Sequence, residues 1–532
     1  MTLARVHRRR LAGFAAGTAL AIGSSAFAIG GIGFAIASTA FTATAAQAAA
    51  DVTAADVTAA DVPAADVPRI ALEDCRLSHP LKVQSLAARC GQLSVPENPD
   101  ESAGRRIALR VAVVPALNRR GAADPLVVLA GGPGQAATAF YAAMAGAFSR
   151  VQRDRDIVLL DQRGTGESNA LTCEFPEEEE LAQLDSQQIR RLSRECRAAL
   201  GGDPRFYTTS VAVRDLDAVR VALGYDQINL YGVSYGTRVA QHFLRRYPQH
   251  TRSVVLDGVV PPQQILGIDT GIVADRALQR IFARCAADPA CHAAFPDPAG
   301  QFARLRADIE RTPAEIALAN PATATVERST FGLPHLQIAT RLLSYAAERA
   351  ALIPLLLDQA VSKRNLVPLA AQAQMISEQL TDALAIGMHN AVVCTEDVPF
   401  FGGSAIDRGA LARTYLGTDQ LDGLIEMCAE WPRGVLDRDF HAPLVGSAPV
   451  LLLSGSDDPV TPPEYAERAA HALRNSRHLV LEGQGHGQVA VGCVPRVIAE
   501  FVAAASLQDL DTTCVSSAAP APFFLSFSGP AP

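Results

Sequence analysis

Short, uninterrupted apolar runs recur along the chain, each followed by a turn rich in glycine, aspartate or proline and then by a stretch with helical periodicity. Such runs are typical of parallel strands that are buried on both faces of a sheet. Strands that alternate with helices predict an α/β fold with a mostly parallel sheet. The runs are Leu126–Ala130, Ile157–Leu160, Ile228–Tyr231, Ser253–Leu256, Val450–Leu453 and His478–Leu481.

A long middle region, 263–440, follows helical periodicity instead, which predicts a large, mainly helical lid insertion that divides the α/β core in two. The alternating segment Ile107–Val114 predicts an edge strand. The expected organisation is a signal peptide at 1–50, a low-complexity linker at 51–70, the first part of the core at 71–262, the insertion at 263–440, the second part of the core at 441–515 and a tail at 516–532.

The N-terminal segment has the pattern of an export signal. Arg8, Arg9 and Arg10 precede a long apolar stretch rich in alanine and glycine, and Ala-x-Ala motifs follow at 46–48 and 48–50. The pattern predicts export with cleavage, by the general or the twin-arginine route, to a periplasmic or extracellular location. A retained membrane anchor is the alternative; after cleavage no membrane attachment is expected.

The composition is that of an acidic globular protein. Hydrophobic residues make up 49% and charged residues 19%, and the net charge is −8. With no basic run beyond residue 10, nucleic-acid binding is disfavoured. The sequence carries no cofactor motif and no Cys/His spacing typical of a metal site, so we predict neither a cofactor nor a metal. The composition indicates no particular oligomeric state.

The chain has ten cysteines, all beyond the export signal. An even number of cysteines in an exported protein predicts disulfides, whereas ten free thiols in a cytosolic protein are the alternative. The sequence alone leaves the pairing open, and we prefer pairs of sequence neighbours because short loops close easily. These pairs are Cys75–Cys90, Cys173–Cys196, Cys285–Cys291, Cys394–Cys428 and Cys493–Cys514.

The segment Gly232-Val233-Ser234-Tyr235-Gly236 places a serine between a strand-like run and a helix-like run. In a G-x-S-x-G turn the positions two before and two after the serine come close together, so both must be small. Such a turn holds the serine in strained backbone with its hydroxyl exposed. We therefore predict Ser234 as a catalytic nucleophile; an ordinary turn serine is the alternative.

A serine nucleophile needs a base, and His486 is the candidate because it follows a late strand within a glycine-rich loop. The acid that orients the imidazole is expected after the preceding strand. Asp458 is preferred there and Asp457 is the fallback, while Asp257, which follows another strand, is a more distant alternative. Ser234, His486 and Asp458 together predict a catalytic triad.

The Gly-Gly-Pro-Gly segment at 131–134 follows another predicted strand. We expect it to bring the backbone N–H of Gly132 to a developing oxyanion, together with the N–H of Tyr235, the residue after the nucleophile. A phosphate-binding loop is the alternative. The sequence lacks the G-x-x-x-x-G-K-[ST] pattern, however, and Pro133 has no N–H to donate.

These motifs together resemble the secreted α/β-hydrolase peptidases related to prolyl aminopeptidase and to the tripeptidyl aminopeptidases of actinobacteria. The order Ser234, Asp458, His486 is that of α/β-hydrolases. The matching stretches span most of 71–515. They are GGPG (131–134), DQRGTGES (161–168), GVSYGTRVA (232–240), LDGVVPP (256–262), DDPVTPP (457–463) and GQGHG (483–487).

CTEDVPF (394–400) and CAEWP (428–432) look like the C-terminal region typical of the tripeptidyl aminopeptidase branch. Ala130 departs from the pattern, since prolyl aminopeptidases usually carry a histidine before GGPG. The resemblance implies an exopeptidase that binds the free amino terminus of its substrate, and an ammonium group needs carboxylates. Glu396, Asp397 and Glu430 are the candidates, with Glu396 and Glu430 preferred and simple solvated charges as the alternative.

The resemblance thus implies an α/β-hydrolase fold and an exported serine hydrolase. Within that class it implies an aminopeptidase of prolyl or tripeptidyl type, which acts on peptides through an acyl-enzyme. A secreted carboxylesterase or lipase is the enzymatic alternative, because the triad residues do not distinguish amides from esters. A non-catalytic binding module with the same fold is the alternative from another class.

Overall fold

The structure is a computed structural model that describes residues 69–173, 185–319 and 325–530. The predicted signal peptide and almost all of the predicted linker lie outside the described residues. Within the described ranges, the search for a helix with the length and apolar character needed to span a bilayer finds none.

The core is a nine-stranded sheet in the order β1-β2-β3-β5-β4-β6-β7-β10-β11. The first three strands pair antiparallel, and β5 to β11 in this order run parallel, which confirms the predicted mostly parallel sheet. β4, β5, β6 and β10 are buried at every position, because helices cover both faces of the sheet. The strands are β1 (Glu73–Ser78), β2 (Ser85–Pro96), β3 (Arg106–Val114), β4 (Leu126–Leu129), β5 (Ile157–Leu160), β6 (Ile228–Val233), β7 (Thr251–Asp257), β8 (Ala314–Ala319), β9 (Val326–Phe331), β10 (Val450–Gly455) and β11 (Ser476–Leu481).

The prediction of an edge strand at Ile107–Val114 is wrong. This segment lies in β3, which pairs with β2 on one side and with β5 on the other. The sheet continues outward through β2 and β1, which the sequence analysis did not identify. A signal for β2 exists, because its buried residues Ala88, Cys90, Leu93 and Val95 alternate with exposed ones.

Between β7 and β10 the described chain is mainly helical, with one antiparallel hairpin of β8 and β9 that was not predicted. The helix that starts immediately after Ser234 is α4. The helices are α1 (Ala137–Gln152), α2 (Ser186–Ala199), α3 (Thr209–Leu223), α4 (Tyr235–Arg246), α5 (Thr270–Ala287), α6 (Pro289–Ala294), α7 (Pro298–Arg311), α8 (Leu333–Leu343), α9 (Ala347–Ala350), α10 (Ile353–Val361), α11 (Val367–Ala383), α12 (Ile386–Glu396), α13 (Arg408–Arg413), α14 (Asp419–Cys428), α15 (Pro463–Ala470) and α16 (Val494–Ala504).

Two apolar clusters cover the two faces of the sheet, and a third fills the insertion. Alternate residues of β4 divide between the first two clusters, since Val127 packs on one face and Val128 on the other. The third cluster includes Leu278 and Phe302 and also takes Phe523 from the C-terminal tail. α12 packs against the sheet, because its Met388 belongs to a sheet cluster. The insertion therefore has a core of its own, while its later part joins the hydrolase core.

All ten cysteines form disulfides between sequence neighbours, in the pairing that the sequence analysis preferred. One bond ties α5 to α6 and another ties α12 to α14, so two of the five brace the insertion. The bonds are Cys75–Cys90, Cys173–Cys196, Cys285–Cys291, Cys394–Cys428 and Cys493–Cys514.

Candidate active site

Ser234 lies in a sharp turn between β6 and α4, with φ 55° and ψ −124°. This backbone is strained for a residue with a side chain, as a nucleophile turn requires. A Cβ on Gly232 would overlap the carbonyl oxygen of Gly236, and a Cβ on Gly236 would overlap that of Leu129. The two glycines are therefore needed to bring the turn this close to itself and to β4.

The loops after β10 and β11 bring the predicted acid and base together. His486 Nδ1 lies 2.8 Å from Asp458 Oδ2. Asp458 is also held by the N–H groups of Val460 and Thr461 and by the hydroxyl of Thr461, which donates to Oδ2 at 2.8 Å. With Nδ1 engaged by the acid, Nε2 is the nitrogen left to accept a proton.

The alternative acids have other partners. Asp457 is bound by the hydroxyl of Ser456 and lies 3.4 Å from the guanidinium of Arg284. Asp257 accepts hydrogen bonds from the hydroxyl of Tyr231 and from backbone N–H groups of the His486 loop. Of the three aspartates, Asp458 is therefore the one that bonds the imidazole.

The pKa values of the acid and base shift in the directions that an ion pair requires. Burial raises the pKa of Asp458, but the charge and hydrogen bond of His486, together with the N–H groups of Thr461 and Val460, leave that pKa below its ordinary value. Burial lowers the pKa of His486, whereas the charge and hydrogen bond of Asp458 and the charge of Asp257 leave it above its ordinary value. Two carboxylates, those of Asp458 and Asp257, thus favour the protonated form of His486.

Ser234 and His486 line the same cavity, which has a volume of about 890 Å³. Among the described residues no hydrogen bond joins the two side chains. Catalytic hydrogen bonds are often loose before substrate binds and tighten in the complex. The shared cavity gives the hydroxyl and the imidazole access to the same substrate.

The predicted oxyanion-hole residues lie beside the nucleophile. Gly132 has φ +105° and lines the cavity, and a Cβ on its neighbour Gly131 would be 3.1 Å from the Cβ of Ser234. Tyr235 begins α4, so its N–H is one of the groups that a helix leaves without an intrahelical acceptor. The side chain of Tyr235 is buried below the turn, where its hydroxyl contacts Thr209 at 2.6 Å.

The helical insertion contacts His486, the predicted base, directly, and the sequence analysis missed this contact. The backbone N–H of His486 donates to the carbonyl of Tyr345 at 2.7 Å, and the Tyr345 ring packs edge-on against the imidazole. A Cβ on Gly485 would overlap that same carbonyl, so this glycine permits contact with the lid. Pro520 and Pro522 of the predicted tail also line the cavity. These contacts join residues that are far apart in sequence and leave no local pattern.

The two glutamates predicted to bind a substrate amine lie elsewhere, and neither lines the cavity of Ser234. Glu396 is fully buried, where it accepts hydrogen bonds from Thr209 and faces the guanidinium of Arg238. Burial raises the pKa of Glu396 to about 7 although Arg238 opposes the shift. Glu430 pairs instead with Arg194 at 2.9 Å. We therefore correct this prediction, because both carboxylates already have partners and neither faces the cavity.

Comparison with known proteins finds matches over most of the chain. Residues 124–491 match the family described as alpha/beta hydrolase fold. The chain is 26% identical over 469 residues to "Serine protease Hip1" of Mycobacterium tuberculosis, which covers 80% of this chain and 87% of that protein. It is 28% identical over 469 residues to "Carboxylesterase B" of the same species, with 80% and 86% covered. A 193-residue segment is 31% identical to "Tripeptidyl aminopeptidase" of Streptomyces lividans, with 33% and 36% covered.

Proposed function

Since this chain belongs to the α/β-hydrolase family, we propose that it is an exported serine exopeptidase that hydrolyses peptide bonds near a free amino terminus. The assignment to serine hydrolases confirms the enzyme class that the sequence predicted. The observation that carries the proposal is His486, held on Asp458 at 2.8 Å in the cavity onto which the strained Ser234 opens.

In the proposed reaction, Ser234 Oγ attacks the scissile carbonyl while His486 Nε2 takes its proton. Asp458 holds the ring through Nδ1 and stabilises the imidazolium. The N–H groups of Gly132 and Tyr235 donate to the oxyanion of the tetrahedral intermediate. His486 then protonates the leaving amine, and water releases the acyl group by the same steps.

Two features support an exopeptidase over an enzyme that cleaves within long chains. Residues of the lid, among them Tyr345 and Leu424, line the cavity together with the nucleophile, so access is restricted. Asp269 and Glu348 are the carboxylates among its described lining residues. Glu348 replaces Glu396 and Glu430 as the proposed partner of a substrate ammonium group, since Asp269 already accepts hydrogen bonds from Tyr465 and Gln264.

Two lines support export. One is the basic and apolar N-terminal pattern, which lies outside the described residues, and the other is the set of five disulfides. The N-terminal residue of the secreted protein, read by Edman degradation, is expected near the Ala-x-Ala motifs. A start at Met1 would contradict cleavage.

The test compares tripeptidyl and aminoacyl amides that have a free amino terminus with the same compounds acetylated at that amine. We expect the free forms to be preferred by at least about tenfold, because one ion pair within a cavity is lost on acetylation. Equal cleavage of both forms would exclude the exopeptidase. Ser234→Ala should lower kcat by roughly 10⁴–10⁶ without unfolding the protein.

Ester hydrolysis is the second candidate, favoured by the relative named "Carboxylesterase B". Short-chain p-nitrophenyl esters assayed beside the peptide amides distinguish the two activities. Turnover of the esters alone would favour the esterase. A fluorophosphonate that fails to label the folded protein would favour the non-catalytic binding module over both enzymes.

A further inference from the structure

Two arginines of the lid line the cavity that contains Ser234 and His486. Arg341 lies in the last turns of α8, and Arg349 lies in the short helix α9. Neither position belongs to a motif that the sequence analysis identified. Two guanidinium groups therefore line the same cavity as Ser234.

Arg349 differs from the deeply buried arginines of this protein. Arg163 makes a two-pronged ion pair with Asp215 at 2.6 and 2.8 Å, and Arg238 does the same with Asp397 at 2.9 and 3.0 Å. Arg349 is partly buried, yet among the described residues no carboxylate lies within ion-pair distance of its guanidinium. A partly buried guanidinium that is not paired with a carboxylate carries a free-energy cost, and an anionic ligand can lower that cost.

The surroundings of Arg349 do not fully compensate its positive charge. Burial lowers the pKa of Arg349, and the charge of Glu348 only partly opposes that shift. Glu348, its neighbour in the chain, is exposed and forms no ion pair with it among the described residues. The Arg349 guanidinium lines the cavity and can therefore donate hydrogen bonds to a carboxylate bound there, and guanidinium groups favour two parallel bonds to a carboxylate.

Arg341 connects this positive region to the catalytic base. Its Nη1 donates to Gln420 Oε1 at 3.1 Å, and both side chains line the cavity. Its charge opposes protonation of His486, since it acts to lower the pKa of the imidazole. An anion bound near Arg341 would offset this effect when the imidazolium forms in the transition state.

We propose that Arg349 and Arg341 bind a carboxylate of the substrate, so that the enzyme prefers anionic peptides to neutral ones. The proposal rests on the peptidase function proposed above and adds a substrate class to it. The carboxylate has two possible sources, an acidic side chain or a free carboxyl terminus, and the same guanidinium groups would recognise either.

The experiment measures kcat/KM for two matched substrate pairs. The first pair differs by Glu against Gln in an otherwise identical carboxy-amidated peptide, and the second by a free carboxylate against an amide at the carboxyl terminus. We expect the wild type to prefer the anionic member of at least one pair by about tenfold to a hundredfold, the range of a charge-assisted hydrogen bond. The pair that shows the preference identifies the source.

Arg349→Gln should reduce that preference to within about threefold of unity, and Arg349→Lys should retain part of it because the charge is kept. Arg304→Gln is the matched control, since Arg304 pairs with Asp297 on the surface of α7 outside the cavity and should leave the preference unchanged. The preference should also fall as salt is raised. Equal rates for both members of both pairs, or an unchanged preference in Arg349→Gln, would overturn the proposal.

A second readout separates this proposal from the peptidase function. The anionic and neutral peptides are tested for protection of Ser234 against a fluorophosphonate, which requires binding but no peptide cleavage. Stronger protection by the anionic peptide, lost in Arg349→Gln, supports the carboxylate site even where no peptide is hydrolysed. Equal protection by both peptides would reject the site whether or not the protein is a peptidase.

Discussion

β7 and β10 are neighbouring strands in the sheet, and a buried aspartate lies at the carboxyl end of each. Both aspartates lie close to His486. Asp458, beyond β10, bonds the imidazole itself. Asp257, the last residue of β7, accepts the N–H groups of Gln488 and Val489, which lie two and three residues beyond the histidine. One carboxylate therefore orients the ring and the other holds the backbone that carries it.

The pKa values of these two aspartates shift in opposite directions. Both are buried, and burial by itself raises the pKa of each. The paired imidazole and the N–H groups of Thr461 and Val460 keep the pKa of Asp458 below its ordinary value. Asp257 has hydrogen-bond donors that only partly offset burial, and its pKa rises to about 6. The groups that donate hydrogen bonds to each aspartate thus determine its role, which is to orient the imidazole for Asp458 and to hold the His486 loop for Asp257. Substitution of each aspartate can separate these two roles.

The largest effect is expected for Asp458→Asn. An amide at this position would favour the wrong tautomer of His486 and could not stabilise the imidazolium, so kcat/KM should fall by roughly 10³–10⁴ while the fold is retained. The measurement is kcat/KM with the preferred peptide amide, with circular dichroism to check folding. Asp457→Asn is the matched control and should cost less than about tenfold. A larger loss in Asp457→Asn would reverse the choice of acid.

Sequence patterns were sufficient to place Ser234 and His486 in glycine-rich turns after strands, and both residues line one cavity, while their catalytic roles remain predictions. They ranked Asp458 above Asp457 and Asp257, but only the folded positions of the loops show which carboxylate reaches the imidazole. The preferred choice of Asp458 agrees with the observed hydrogen bond, but its role as the acid remains a prediction.

Long-range packing explains what the sequence analysis missed. Glu396 lies two residues after Cys394 and was predicted to bind a substrate amine, yet it is buried beside Arg238, which is distant in sequence. The contact of the Tyr345 carbonyl with the His486 loop likewise joins the lid to the core. Patterns of strand and turn predict the sites along the sheet edge, whereas contacts between the lid and the core require the three-dimensional structure.

A smaller loss is expected for Asp257→Asn. The carboxylate accepts three donors that an amide cannot all satisfy, so the loop of His486 should shift and kcat/KM should fall by about tenfold to a hundredfold. Asp156→Asn is a matched control at the opposite edge of the sheet, because Asp156 also accepts a tyrosine hydroxyl, that of Tyr225, and a backbone N–H. It should lower thermal stability but leave kcat/KM unchanged. Similar losses of kcat/KM in both variants would refute a positioning role for Asp257.

Thr461→Val should lower activity modestly, because it alters only the contacts of Asp458 and His486 and leaves those of Asp257 intact. Its hydroxyl donates to Asp458 Oδ2 at 2.8 Å and lies 3.1 Å from His486 Nδ1. Losing one of several donors to the acid should lower kcat by about threefold to tenfold. KM should change little, because Thr461 is absent from the described lining of the cavity. Thr461→Ser keeps the hydroxyl and should restore the rate; failure to do so would indicate a packing effect instead.

The smallest expected effect is a shift in the pH dependence of kcat/KM. This shift distinguishes the effect of the Asp257 charge from that of the geometry of the His486 loop. His486 must be neutral to act as a base, and its raised pKa should place the acid limb of kcat/KM at a higher pH than an ordinary histidine would. Asp257, whose pKa is about 6, is mostly ionised in that range, so its negative charge helps to raise the pKa of His486. Asp257→Asn removes this charge, which lowers the pKa of the imidazole and moves the acid limb to lower pH.

Thr461→Val removes no charge and should leave the limb in place. Profiles of kcat/KM between pH 5 and 9 measure both variants against the wild type. A limb that moves equally in the two variants would mean that loop geometry, and not the charge at the end of β7, sets the pKa of the base.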